Sequence, residues 1–266
     1  MKVTGKVLVV TGAGGGIGSE VAQALLERGA EVAAVDLREE GLHSLRKKVG
    51  TLAEHLTVHT CNIADQTAVA ALPHAVIDAH GQVDGVINCA GIIQPFVRVN
   101  DIAYEAIERV MKVNFYGTLY MTKAFLPHLL KRPEAYIANF SSMGGFLPVP
   151  GQSIYGASKA AVKLFTEGLY AELLDTDVHV SVVYPGATNT NIAKNSGVAV
   201  PAQAAKSKTM PMLSAKEAAD IVVRGIEANT PQIFTGKDSV SMNRLYRLNP
   251  VFATKFIAKK MRSLLQ

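Results

Sequence analysis

Along the chain, short apolar runs rich in β-forming residues alternate with longer stretches of helical pattern. The runs are Lys6–Val10, Glu31–Val35, Leu56–Thr60, Val83–Ile87, Tyr136–Phe140, Val178–Val183 and Gln232–Phe234. Runs this short, largely apolar and rich in β-forming residues read as strands. Between them lie helix-length segments, among them Ser19–Arg28, Ala103–Leu126 and Ser153–Leu174. Seven strands so separated predict parallel βαβ units. The expected fold is α/β: a doubly wound, seven-stranded parallel Rossmann-type sheet in a single domain. Glycine and proline gather at strand ends, where turns are needed, and no repeat or Pro/Ser-rich linker marks a second domain.

Length and composition sharpen this. With 266 residues and 48% apolar content, the chain can bury one large core. Strand-like sequence begins within six residues of Met1, so no signal peptide is expected. No apolar run reaches the roughly 18 residues a membrane span needs, and a cytoplasmic location is expected. Cys61 and Cys89 fall near the ends of the third and fourth strands and are expected to be buried free thiols, as a reducing cytosol allows. His55 and His59 are four apart but belong to a strand region rather than a helix, so no metal site is expected.

The net charge of +5 is unevenly spread. Lys237, Arg244, Arg247, Lys255, Lys259, Lys260 and Arg262 stand against one acid, Asp238, between 237 and 266. A Rossmann-type domain over 1–236 thus precedes a basic C-terminal extension over 237–266. After Pro250, Ala253, Ile257, Met261 and Leu264 recur at helical spacing, with Lys255, Lys259 and Arg262 on the opposite side. Two readings stand: an amphipathic helix packed on its own fold or subunit, or peripheral contact with an anionic membrane. No nucleic-acid partner is expected, because no recognised motif accompanies the charge.

The first strand runs straight into Thr11-Gly12-Ala-Gly-Gly-Gly16-Ile17-Gly18, and a helix follows. Glycines there permit a tight turn and close backbone approach, and the helix N-terminus offers free N–H groups to a pyrophosphate. Asp36 ends the second strand, eighteen residues after Gly18. A carboxylate there can accept hydrogen bonds from ribose hydroxyls and would repel a 2′-phosphate, which points to NAD. Farther on, Tyr155 and Lys159 sit four apart on a helix, so phenol and ammonium share one face. The cation is expected to lower the phenol pKa toward the range a general acid/base needs. The strand ending at Phe140 would deliver the Ser141 and Ser142 hydroxyls beside that face, where one could bond a substrate oxygen as it gains charge.

Taken in order, Thr11-Gly12-x-x-x-Gly16-x-Gly18, Asn88-Cys-Ala90-Gly91, Asn114 in Lys-Val-Asn-Phe-Tyr-Gly117, Ser142, Tyr155, Lys159 and Pro185-Gly186 resemble the short-chain dehydrogenase/reductase family. The resemblance spans residues 5 to about 236. It implies an NAD(H)-dependent oxidoreductase interconverting a secondary alcohol and a ketone, with Asn114, Ser142, Tyr155 and Lys159 as the catalytic group. Ser142 is preferred to Ser141 because the family spacing to the tyrosine is thirteen. Lys159 would also hold the nicotinamide ribose, and Asn114 would help hold a water chain from the lysine to solvent. Asn62 and Ile63 would lie beside the adenine, Asn88 and Ala90 near the cofactor, and Pro185, Gly186, Thr188 and Thr190 at the nicotinamide carboxamide. Relatives that prefer NADP usually carry a basic residue where this chain has Gly15 or Leu37, and Arg38 stands one place further.

The segments expected near the substrate supply Ile92, Ile93, Phe96, Met143, Phe146, Leu147, Val198, Met210 and Met212. They suggest an apolar pocket under a mobile lid, or else ordinary core filler. The resemblance further implies a homo-oligomer, tetramer or dimer, paired through Ala103–Leu126 and Ser153–Leu174. Two rival readings are an NADP(H)-dependent 3-oxoacyl-type reductase, its tail attracting an acidic carrier protein, and a cofactor-binding scaffold without chemistry.

Overall fold

The structure is a computed structural model; it describes residues 1–199 and 212–262. The strands are β1 (Val7–Thr11), β2 (Glu31–Asp36), β3 (Leu56–Thr60), β4 (Gly85–Asn88), β5 (Ala135–Phe140), β6 (Val178–Pro185), β7 (Thr188–Asn189), β8 (Leu213–Ser214) and β9 (Gln232–Thr235). Seven of them form one parallel sheet in the order β3-β2-β1-β4-β5-β6-β9. β7 and β8 pair separately beside it.

The helices are α1 (Gly16–Leu26), α2 (Glu39–Lys48), α3 (Gln66–His80), α4 (Tyr104–Met111), α5 (Gly117–Leu129), α6 (Ser153–Glu172), α7 (Ile192–Ser196), α8 (Ala215–Glu227), α9 (Lys237–Leu248) and α10 (Pro250–Lys260). Every residue of β1 is buried, yet its side chains still alternate. Leu8 and Val10 join α1, α2 and α8 through Val21, Leu25, Leu45 and Val222, while Val7 and Val9 join α3, α5 and α6 through Val76, Phe125 and Leu169. That two-sided burial explains why β1 reads as an almost unbroken apolar run. The strand order reverses between β1 and β4, and there the carboxyl ends open a crevice for a ligand.

One predicted helix is interrupted. Ala103–Leu126 reads as continuous, but α4 and α5 are separated by a π-helical turn over Lys112–Tyr116. Asn114 lies at the centre of that turn, fully buried, and its amide reaches outside its own helix. Such turns are invisible to a 3.6-residue period and often occur at functional sites.

The basic segment forms two helices, and the second begins at Pro250, where helical spacing is expected. α9 is tied to the sheet: Ser239 Oγ donates to Tyr184 O at 2.9 Å, and Asp238 Oδ2 accepts from Ala187 N at 2.7 Å. α10 buries Ala253 and Ile257 against Leu147. Both helices of the 237–266 extension thus pack on the fold that precedes them.

Candidate active site

The crevice at the reversal is a cleft of about 360 Å³. Its lining includes Gly12, Gly16, Ile17, Gly18, Asp36, Asn62, Ile63, Ala90, Ser142, Tyr155, Lys159, Pro185, Gly186, Thr188 and Thr190. All but two of the expected catalytic and cofactor-binding residues thus line one cleft, although they come from segments up to 178 positions apart. The two exceptions are Asn88 and Asn114.

At one end the glycine loop is shaped by lack of side chains. A Cβ at Gly18 would sit 2.3 Å from Gly12 O, and one at Gly12, whose φ is +71°, would sit 2.9 Å from Ala90 Cα. α1 therefore starts hard against the β1 turn, and its first amides stay uncovered by any side-chain cap. Asp36 closes this end. Its Oδ2 accepts from Gly14 N at 2.9 Å and its Oδ1 from Arg38 N at 2.9 Å, so the carboxylate is anchored at the cleft wall. Arg38 hovers beside it, Nε 3.9 Å from Oδ1, and donates across the mouth to Asn195 Oδ1 at 3.0 Å. A phosphate-bearing dinucleotide fits this donor set: bare backbone at a helix N-terminus, with a carboxylate a strand away.

At the other end stand Ser142, Tyr155 and Lys159. The two serines are separated by their partners. Ser141 Oγ donates to Lys159 O at 2.8 Å and is spent on holding α6, a contact that Gly145 allows, since a Cβ there would strike that hydroxyl. Ser142 accepts from Gly144 N at 3.0 Å and interacts with the Tyr155 phenol. Lys159 is 4% exposed, and its Nζ donates to Phe140 O at 2.8 Å. Burial depresses the amine to about 8.

The phenol departs from expectation. Burial raises the Tyr155 pKa above its ordinary value, with only the Ser142 hydrogen bond pulling it down. Helical spacing to Lys159 does not by itself lower the phenol, because the amine is directed to the Phe140 carbonyl and desolvation outweighs the rest. Burial also pushes the Cys89 thiol up to about 12, so it is a neutral wall group. Cys61 likewise lines the cleft, and both thiols are free.

Asn114 sits behind the cleft. Its Oδ1 accepts from Ile92 N at 2.9 Å, and its Nδ2 donates to Ile92 O at 3.0 Å and to Ser158 Oγ at 2.9 Å. A Cβ on Gly91 would touch both Lys159 Nζ and Asn114 Oδ1, at 3.1 and 3.3 Å, so the three segments converge there. Asn88 needs correction as a cofactor contact. It points into the interior, donating to Asn139 Oδ1 at 2.8 Å in a chain that continues to Thr166.

The apolar pocket reading also changes. Ile92 lines the cleft, but Leu147 is fully buried with α10, and Met143 and Phe146 pack against that cluster. Met212 is 60% exposed, and Met210 lies outside the described residues. Gln94 belongs to the site without any motif in the sequence to mark it. It is buried, and its Oε1 accepts from Ile154 N at 2.7 Å and Tyr155 N at 2.9 Å, capping α6 from the loop after β4. Gln152, at the helix's own N-cap position, makes no side-chain cap. No local signal marks a cap supplied from sixty residues away.

Comparison with known proteins places the chain. The short chain dehydrogenase family model matches residues 6–200. SadH of Mycobacterium tuberculosis is 34% identical over 92% of this chain and 91% of its own length. A fatty acyl-CoA reductase of Acinetobacter baylyi is 30% identical, covering 88% and 77%. Among solved structures, a short chain dehydrogenase/reductase from Burkholderia phymatum in complex with NAD superimposes with a TM-score of 0.87 at 25% identity, covering 95% and 96%. A Burkholderia cenocepacia short chain dehydrogenase in complex with NADP gives 0.80 at 27% identity, covering 97% and 99%. The chain belongs to the short-chain dehydrogenase/reductase family, and is an oxidoreductase that binds a nicotinamide dinucleotide.

Proposed function

We propose that this oxidoreductase uses NAD(H) to interconvert a secondary alcohol and a ketone bearing a sizeable apolar group. The observation that carries the reading is the meeting of Ser142, Tyr155 and Lys159 at one end of a cleft whose other end is Asp36. Bound NAD supplies or accepts the hydride. Gly12, Gly16, Ile17 and Gly18 would take its pyrophosphate, Asp36 the adenosine ribose, Asn62 and Ile63 the adenine. Ala90 would line the middle, and Pro185, Gly186, Thr188 and Thr190 the carboxamide end. Tyr155 exchanges a proton with the substrate oxygen. Ser142 donates a hydrogen bond to that oxygen as it gains charge. Lys159, with an amine at about 8, is mostly protonated at neutral pH and favours the phenolate once directed to it. Asn114 fixes the Ile92 and Ser158 segments around the lysine and keeps acceptor capacity on Oδ1 for a water relay.

Asp36 supports NAD, because a 2′-phosphate would meet its carboxylate. Arg38 supports a second reading, an NADP(H)-dependent reductase of 3-oxoacyl groups, since its guanidinium overhangs the same corner. A scaffold without chemistry has no need of the Ser142, Tyr155 and Lys159 set. Exposed Tyr104, Tyr116, Leu164 and Tyr170 on α4 to α6 support homo-oligomerisation through those faces.

The test is a screen of secondary alcohols and ketones with both cofactors, following absorbance of the reduced nicotinamide, with NADH and NADPH dissociation constants measured alongside. Turnover with NAD(H) is expected, and Asp36→Ala should shift the affinity ratio toward NADPH. An unchanged ratio moves selection to Arg38. Absence of turnover with either cofactor across the screen overturns the reading.

A further inference from the structure

We propose that the elbow between α9 and α10 is a docking surface for an anionic lipid bilayer. At this elbow Leu248, Val251 and Phe252 are 85%, 64% and 54% exposed, three large apolar side chains within five residues. Asn249 Oδ1 accepts from Phe252 N at 2.9 Å and caps α10, so the chain direction at the elbow is set.

The inner stripe of α10 is already satisfied by Ala253 and Ile257, which pack on Leu147. At 3.6 residues per turn, Val251, Phe252, Lys255 and Lys259 fall on the opposite side. Their apolar members cannot serve the same core. Phe252 stacks on Phe256 with centroids 6.4 Å apart, and Lys260 Nζ lies 5.0 Å from the Phe256 centroid.

Charge chooses the occupant. Arg244, Arg247, Lys255, Lys259 and Lys260 are all exposed around the apolar wedge. Among the described residues, no acidic side chain forms an ion pair with any of them. The segment's one acid, Asp238, is turned inward to the Ala187 amide. A second copy meeting this face about a two-fold axis would bring the same cations together. A nucleic-acid duplex would take the cations but press the wedge against phosphates. A bilayer with acidic headgroups satisfies both, with the wedge at the acyl boundary and the lysines reaching the phosphates.

The surface is also joined to the site. Phe146 and Leu147, which receive α10, lie four and five residues beyond Ser142 on one loop. Under the oxidoreductase reading, a lipophilic substrate would arrive on the Ser142 side of the cleft.

The full chain should sediment with phosphatidylcholine vesicles containing phosphatidylserine, and far less with phosphatidylcholine alone. Binding should weaken as the Debye length falls from about 30 Å at 0.01 M salt to about 8 Å at 0.15 M. Each lysine contributes roughly fivefold, so Lys255→Gln/Lys259→Gln/Lys260→Gln should lower partitioning on the order of a hundredfold. Val251→Ser/Phe252→Ser should reduce it even at low salt. Both variants alter exposed side chains, and an unchanged melting temperature and NADH affinity would show that they fold. Vesicle binding that ignores both variants, or no sedimentation at low salt, overturns the proposal. So does a concentration-dependent doubling of mass that Phe252→Ser abolishes while vesicles stay unbound, because it assigns the face to a second copy. Retention on a DNA duplex with no vesicle binding also overturns it.

Discussion

At the Asp36 end of the cleft the shape is made where backbone meets backbone, whereas at the Tyr155 end it is assembled by side chains from distant segments. Gly18 lets α1 begin against Gly12 O, and Asp36 is pinned by the amides of Gly14 and Arg38, all within 27 positions of the chain. Tyr155 instead depends on Gln94 for its helix start, on Ser142 for its hydrogen bond, and on a lysine held by the Phe140 carbonyl. Asn114 braces that arrangement from one further segment, and Ser141 from the Phe140–Ser142 segment itself. Local sterics can be written as a short motif. A polar network gathered from afar cannot, and it tolerates change less evenly.

The largest expected effect breaks the second end alone. Tyr155→Phe keeps the ring but removes the proton carrier, so turnover should fall by about 10² or more. NADH affinity, measured by fluorescence titration, should hold. Retention of wild-type turnover would remove Tyr155 from the chemistry.

Lys159 sharpens the comparison through stability. Its folded pKa, about 8, is below the ordinary 10.5, so between these values the unfolded chain binds more protons and stability rises with pH. The charged amine costs the fold roughly 3 kcal/mol, fully present below pH 8 and relieved toward 10.5. Lys159→Met should therefore melt higher at neutral pH while losing activity, with the gap narrowing in alkali. The raised phenol of Tyr155 works the opposite way only above its ordinary value of 10, where a group that keeps its proton longer in the fold loses stability. Denaturant melts across pH 7 to 10 would check it, and a variant no more stable than wild type would mean that the buried amine carries no such cost.

Gly18→Ala tests the backbone end. The added Cβ meets a carbonyl that cannot rotate away, so about 1–3 kcal/mol of stability should be lost. The dinucleotide dissociation constant should rise with it. A variant with unchanged affinity would show that α1 has room to move.

The smallest expected effect concerns Gln94. Gln94→Leu removes the cap from Ile154 and Tyr155 while keeping bulk, and a lost cap is worth about 1 kcal/mol. Turnover should drop by up to about tenfold with NADH affinity unchanged. Gln94→Glu should restore the cap but place a negative charge near the phenol, moving the alkaline limb of the pH profile upward. Equal loss in both variants with no change in profile would reduce Gln94 to packing.

Read without coordinates, the chain already determined the seven parallel strands, the glycine turn, the carboxylate closing β2 and the helix carrying Tyr155 and Lys159. Each of these rests on interactions within one element or between neighbours: apolar runs too short for helices, glycine where a Cβ would clash, i to i+4 spacing on one face. Only the tertiary structure decided the rest. It turned Asn88 into an interior link with Asn139, opened a π-helical turn at Asn114, and sent Leu147 into a cluster with α10. It also let burial override the cation at Tyr155, and brought Gln94 to the start of α6. Desolvation and hydrogen-bond partnership depend on which segments meet in space, and no local pattern of residues encodes that.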